Sequence, residues 1–118
     1  ADDPALLLLD EPFASLDAFS RERMNDELQR IWLTSSKTVV MVTHDIQEAV
    51  FLSDRVVVLS QRPGRVKGIF TVPFEHPRPS HIRYDREFAA LAMHIREAAE
   101  DRSPHGDEES VSVVAEFF

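Results

Sequence analysis

The residues Ala5-Leu6-Leu7-Leu8-Leu9 form a continuous apolar run that stops abruptly on Asp10-Glu11-Pro12. Periodicity alone does not separate a strand from a buried helix in so short a stretch. Its length and the flanking Pro4 and Pro12 favour a strand buried on both faces, as in a parallel sheet. A second β-branched run, Thr38-Val39-Val40-Met41-Val42, ends in the same way on Thr43-His44-Asp45. A chain with two such strands needs helices between them.

The intervening residues supply the first helix. Asp17 is a plausible N-cap, and Phe19, Met24, Leu28, Ile31 and Trp32 recur at helical spacing to about Leu33. Arg21, Glu22, Arg23, Asp26, Glu27 and Arg30 fill most of the remaining surface. A short helix is expected from Ile46 to Leu52, a third strand over Arg55–Ser60 and a more exposed fourth over Val66–Val72, with a turn at Pro63-Gly64. Strand, helix, strand, helix, strand implies an α/β layered domain with helices on both faces of its sheet. The last two strands read as an antiparallel hairpin at its margin.

Three prolines between Pro73 and Ser80 mark residues 73–84 as a linker. Asp85–Asp101 reads as a last helix, with Phe88, Leu91, Ala92, Ile95 and Ala99 along one side. Residues 102–118 turn acidic and are expected to be a disordered tail. The apolar stretch Val111–Phe118 has no assigned partner.

A net charge of −8 argues against non-specific binding to nucleic acid or to an anionic membrane surface. With no cysteine, neither a disulfide framework nor a thiolate metal site is available. Every apolar run is far shorter than the roughly 18–20 residues of a spanning helix, and no signal-peptide pattern is visible in these residues. Ala1-Asp2-Asp3-Pro4 leads straight into a strand without an initiator Met, so the expectation is a truncated segment of a longer protein.

In open α/β sheets, ligands bind at the carboxyl ends of the strands, where Asp10, Glu11 and His44 stand. Two adjacent carboxylates at a strand exit suit Mg²⁺-dependent phosphoryl chemistry, one holding the metal and the other orienting a water. A histidine at the neighbouring exit can then contact the terminal phosphate. The bland alternatives are a polar strand-to-turn junction for Asp10-Glu11-Pro12, a solvated or helix-capping residue for His44, and a simple N-cap for Asp17. His76, His81, His94 and His105 show no ligand spacing and read as linker or surface residues.

The joint spacing is more specific than any of its parts. Leu6-Leu7-Leu8-Leu9-Asp10-Glu11-Pro12-Phe13-Ala14-Ser15-Leu16-Asp17 resembles the Walker B strand, catalytic glutamate and D-loop of ABC-transporter ATPases. Val42-Thr43-His44-Asp45 resembles that family's switch-histidine segment. The resemblance covers about residues 1–100 and implies the C-terminal part of a P-loop ATPase domain over 1–72. It implies that Asp10 serves Mg²⁺, that Glu11 polarises the attacking water, and that His44 contacts the γ-phosphate of ATP. Ser15, Leu16 and Asp17 would lie at the interface with a second ATPase subunit in a homodimer. Residues 45–65, with Arg62-Pro63-Gly64-Arg65, are similar to the importers of nitrate, sulfonate and taurine type.

Implied partners are membrane-spanning permease subunits and, indirectly, a substrate-binding protein, with no nucleic acid. The implied location is peripheral, at the cytoplasmic face of the cell membrane. DNA-repair or chromosome-associated ATPases of the same superfamily share the carboxylate pair, but tend to carry zinc modules or coiled coils that this chain lacks. An inactive gene fragment is the third reading. A phosphate-cradling loop needs glycines and a Lys-Ser/Thr at a helix start. The chain has only Gly64, Gly68 and Gly106 and no Gly-Lys-Ser/Thr, so by itself it is expected to be inactive.

Overall fold

A computed structural model describes residues 6–35, 37–60, 65–100 and 111–117. The two apolar runs become strands β1 (Leu6–Asp10) and β2 (Thr38–Thr43), paired in parallel with Leu7 opposite Val39 and Leu9 opposite Met41. Helix α1 (Ala18–Leu33) joins them, and α2 (Ile46–Leu52) leads from β2 to β3 (Arg55–Ser60). Strand β4 (Arg65–Thr71) pairs antiparallel with β3, as a hairpin requires. A 3₁₀ turn (Ser80–Tyr84) and helix α3 (Arg86–Ala99) follow. The expected Pro63-Gly64 turn lies outside the described residues.

The largest departure from expectation is strand β5 (Val111–Phe117), within the stretch expected to be a disordered tail. It lies between β2 and β3, antiparallel to both, giving the sheet order β1-β2-β5-β3-β4. Residues 102–110 lie outside the described residues. Alternation explains why this segment suits a strand. Val113, Ala115 and Phe117 are buried on one face, while Ser112, Val114 and Glu116 are half-buried on the other. Glu116 receives Arg55 Nη2 at 2.6 Å, which anchors the far end of the pairing with β3.

The core lies on a single face of the sheet. Val39, Met41, Val56, Val58, Val113, Ala115 and Phe117 join Trp32 of α1, Ala49–Leu52 of α2, and Phe88, Ile95 and Ala99 of α3 in one buried cluster. On the opposite face Val40, Val42, Val57, Leu59 and Val114 are half-exposed, and Leu6 and Leu8 are open to solvent. The expected second helical layer is therefore absent among the described residues. No described helix is long and apolar enough to cross a membrane.

The α1 face also departs from expectation. Phe19, Met24 and Ile31 are exposed, whereas Asn25, Gln29 and Trp32 are buried. The burial of Gln29 follows from the proline-rich stretch, whose Arg78 packs into the core. Gln29 Nε2 donates to the Arg78 carbonyl at 2.9 Å, and Gln29 Oε1 accepts from Arg78 N at 2.7 Å. The Arg78 guanidinium is fully buried and donates to the carbonyls of Val50, Phe51 and Ser53 at the end of α2. Burial pushes its pKa down to about 10. Arg78 thus closes the C-terminal end of α2, and Phe74 and Ile82 pack against the core, so the stretch expected as a linker is docked on the sheet's helical layer.

Candidate functional site

Strand β1 ends on Asp10 and hands Glu11 to a cavity of about 640 Å³, lined by Glu11, Ala14, Arg21, His44, Glu48 and Arg96 among others. Glu11 has a φ of 45°, in the left-handed region that costs a non-glycine residue about 1–3 kcal/mol. Two hydrogen bonds hold it there. Glu11 N donates to the Val42 carbonyl at 2.7 Å, and the Glu11 carbonyl accepts from Ala14 N at 3.3 Å. The bend turns the chain sharply away from the strand just after Asp10. Asp10 itself is exposed, does not line the cavity, and by strand alternation shares the open sheet face with Leu6 and Leu8.

Strand β2 delivers the histidine. His44 Nε2 lies 3.1 Å from Glu11 Oε1, with both side chains partly solvent-exposed. The adjacent parallel strands therefore bring together two of the residues singled out from sequence. The alternative of His44 as a helix cap is overturned, because Asp45 Oδ1 caps α2 by accepting from Glu48 N at 3.1 Å. An Asp one residue before the helix has the short acceptor arm that reaches this amide.

Ser15, Leu16 and Asp17 form the turn into α1. Ser15 and Asp17 are exposed and Leu16 is half-buried. Asp17 Oδ1 accepts from Ser20 N at 2.7 Å, so it caps α1, and this hydrogen bond lowers its pKa. Two charged neighbours escaped the sequence reading. Arg21 was placed with the solvated charges of α1, yet its Nη1 lies 2.9 Å from Asp45 Oδ2. Glu48 is buried, and its carboxyl pKa is raised by burial first, with the Asp45 charge adding to the effect. Neither contact leaves a mark in local sequence spacing.

Chemically, the cavity presents the Glu11 carboxylate and the His44 imidazole within hydrogen-bond reach of each other, with the Asp45 carboxylate paired to Arg21 beside them and Arg96 also in the lining. No group of three or more His, Asp or Glu positioned for a metal occurs among the described residues. Mg²⁺ needs only one or two protein carboxylates, because it completes its shell with water and substrate phosphates.

No family model matches the chain. Individual proteins do. An uncharacterised ABC transporter ATP-binding protein of Methanocaldococcus jannaschii is 55% identical over 78 residues, 66% of this chain and 29% of its own length. A nitrate import ATP-binding protein of Synechococcus elongatus is 39% identical over 107 residues, 89% of this chain and 39% of its own length. This chain is homologous to the ATP-binding proteins of ABC transporters. A bicarbonate transport ATP-binding protein of Synechococcus elongatus, 41% identical over 107 residues, covers 89% of this ABC homologue and is itself covered over 38%. The chain spans less than half the length of the curated ABC relatives named here.

Proposed function

We propose that this chain is the carboxylate-and-histidine part of an ATP-hydrolysing subunit that energises an ABC importer. The observation that carries the reading is the 3.1 Å contact between Glu11 and His44 at the ends of neighbouring parallel strands, in a homologue of ABC ATP-binding proteins. Glu11 orients and polarises the attacking water. Its left-handed backbone turns the residue out of the strand, and its carboxylate stands at the strand exit beside His44. His44 donates from its imidazole to the γ-phosphate, so the Glu11–His44 contact gives way when ATP is bound. Asp10 would hold Mg²⁺, which when bound neutralises charge on the phosphate oxygens.

Ser15, Leu16 and Asp17 lie at the interface with a second copy of the subunit, which supplies the remainder of a composite site. Permease subunits hold the pair at the cytoplasmic face of the membrane as a peripheral assembly, and a substrate-binding protein acts on it only indirectly. The transported cargo is a small anion such as nitrate, sulfonate or taurine. Relatives named for nitrate import and bicarbonate transport support an anion.

The test is Glu11→Gln in the full-length subunit, reconstituted with its permease. The substitution keeps the shape and removes the charge that polarises water. Turnover is expected to fall about 10²–10⁴-fold, as for loss of a positioned acid–base group, while nucleotide binding persists. Turnover within a few-fold of the parent would remove Glu11 from this role.

A further inference from the structure

Arg21 sits one turn into α1, where its amide donates to the Asp17 carbonyl at 2.9 Å, so its base is part of a rigid element. Its side chain is only 24% exposed and reaches back over the turn that follows Glu11. Nη2 donates to the Leu16 carbonyl at 2.7 Å and Nε to the Phe13 carbonyl at 3.4 Å. On the other side Nη1 donates to Asp45 Oδ2 at 2.9 Å. One guanidinium thus touches both loops of the site.

Asp45 is itself immobilised. Its backbone amide donates to Thr43 Oγ1 at 3.0 Å, and its other carboxylate oxygen caps α2. His44 lies between these two anchored neighbours. The main chain between the Glu11 turn and the His44 turn runs through the whole of α1 and β2. Besides the β1–β2 ladder, its extension at Glu11 N to the Val42 carbonyl and the Glu11–His44 contact, Arg21 ties the two turns together from the α1 side.

We propose that Arg21 is a positioning residue that holds the Glu11 turn and the His44 turn in register for hydrolysis. The inference rests on the function proposed above and adds a residue to it. The chemistry requires arginine. Five N–H donors on three nitrogens leave a planar head in fixed directions, so carbonyls on one loop and a carboxylate on the other can be held together. A lysine ammonium is a single point charge on a flexible stem and satisfies either side at the expense of the other.

The experiment uses the full-length subunit and compares Arg21→Ala, Arg21→Lys, Asp45→Asn and the Arg21→Ala/Asp45→Asn double variant. A misplacement of about 1 Å costs on the order of 10²-fold in rate, so kcat of Arg21→Ala is expected to fall about 10–100-fold with KM for ATP close to the parent's. Arg21→Lys should rescue little of this loss. The double variant should be no slower than Arg21→Ala, because both changes cut the same tie. Hydrogen exchange on the same proteins gives a readout independent of turnover. Amides of Ala14, Leu16, Asp45 and Glu48 should exchange faster together in Arg21→Ala, while those of α3 stay as in the parent. Unchanged kcat, multiplicative losses in the double variant, or faster exchange throughout the molecule would each overturn the proposal. Glu11→Gln is assayed alongside. If that variant turns over like the parent, the proposed function has failed, and the exchange pattern still decides whether Arg21 ties the loops.

Discussion

Glu48 carries its carboxyl into the space between α1 and α2, and its Oε2 is buried without a hydrogen-bond partner. A buried carboxylate in that position is costly, so burial raises its pKa above the ordinary value of 4.5, with Asp45 pushing the same way. The folded chain therefore holds this proton where the unfolded chain has lost it. The stabilisation is complete below about pH 4.5 and disappears as pH rises through the folded-state value. Glu48→Gln is neutral throughout and escapes that loss. It is expected to stabilise the chain at pH 7 by about 1 kcal/mol, the scale of one relieved buried polar group, and to be neutral or slightly costly below pH 4.5. Urea titrations at several pH values check this, and parallel curves for parent and variant would contradict it. The caps at Asp17 and Asp45 behave differently from Glu48, because each serves an amide three residues ahead. The spacing of such a contact is written into the sequence, whereas the burial of Glu48 depends on how two helices meet.

Among the elements, β5 is the one on which the sheet depends most, since it pairs with β2 on one side and β3 on the other. Phe117 is fully buried and meets Trp32 edge-to-face, with ring centroids 5.3 Å apart. Phe117→Ala is expected to cost about 3–5 kcal/mol, as for other large-to-small core changes, and to lower the urea midpoint accordingly. A midpoint shift under about 1 kcal/mol would mean that the strand is peripheral to the core. Strands β2 and β3 and helix α2 were readable almost to the residue, because β-branched runs and a capping Asp act over a few neighbours. The α1 boundaries were readable for the same reason. Its buried face was not, because Asn25 and Gln29 turn inward, and Gln29 does so to satisfy Arg78, far along the chain. Strand β5 was missed on similar grounds: a short Val-Ser-Val-Val-Ala-Glu-Phe segment after an acidic stretch acquires its identity only from the two strands that receive it. At the site, strand ends were enough to place Glu11 and His44 at neighbouring exits, but not to read their direct contact. The Arg21 tie was not legible either, because it forms between elements.

For the molecule as a whole, charge and missing donors set what the isolated 118-residue chain can bind. Nucleotide phosphates need backbone N–H groups and a lysine to offset their charge, and the sequence has no Gly-Lys-Ser/Thr while carrying a net charge of −8. Calorimetry with MgATP is therefore expected to show no saturable binding in the micromolar range. Supplying the phosphate-binding portion of a full-length subunit should restore binding first, and hydrolysis only when two such subunits pair. Saturable micromolar binding by the chain alone would mean that other groups here grip phosphate. The position of β5 has a consequence of another kind. Val39 pairs with Phe117 and Arg55 with Glu116, so the middle of the sheet is zipped from segments remote in sequence. Contacts of that sort demand that a long stretch of chain be corralled before any reward arrives, which slows assembly more than local hairpins or helices do. By the same logic the β3–β4 hairpin is the least costly pairing of the sheet to close, β1–β2 must first reach across α1, and the two pairings of β5 must reach furthest along the chain.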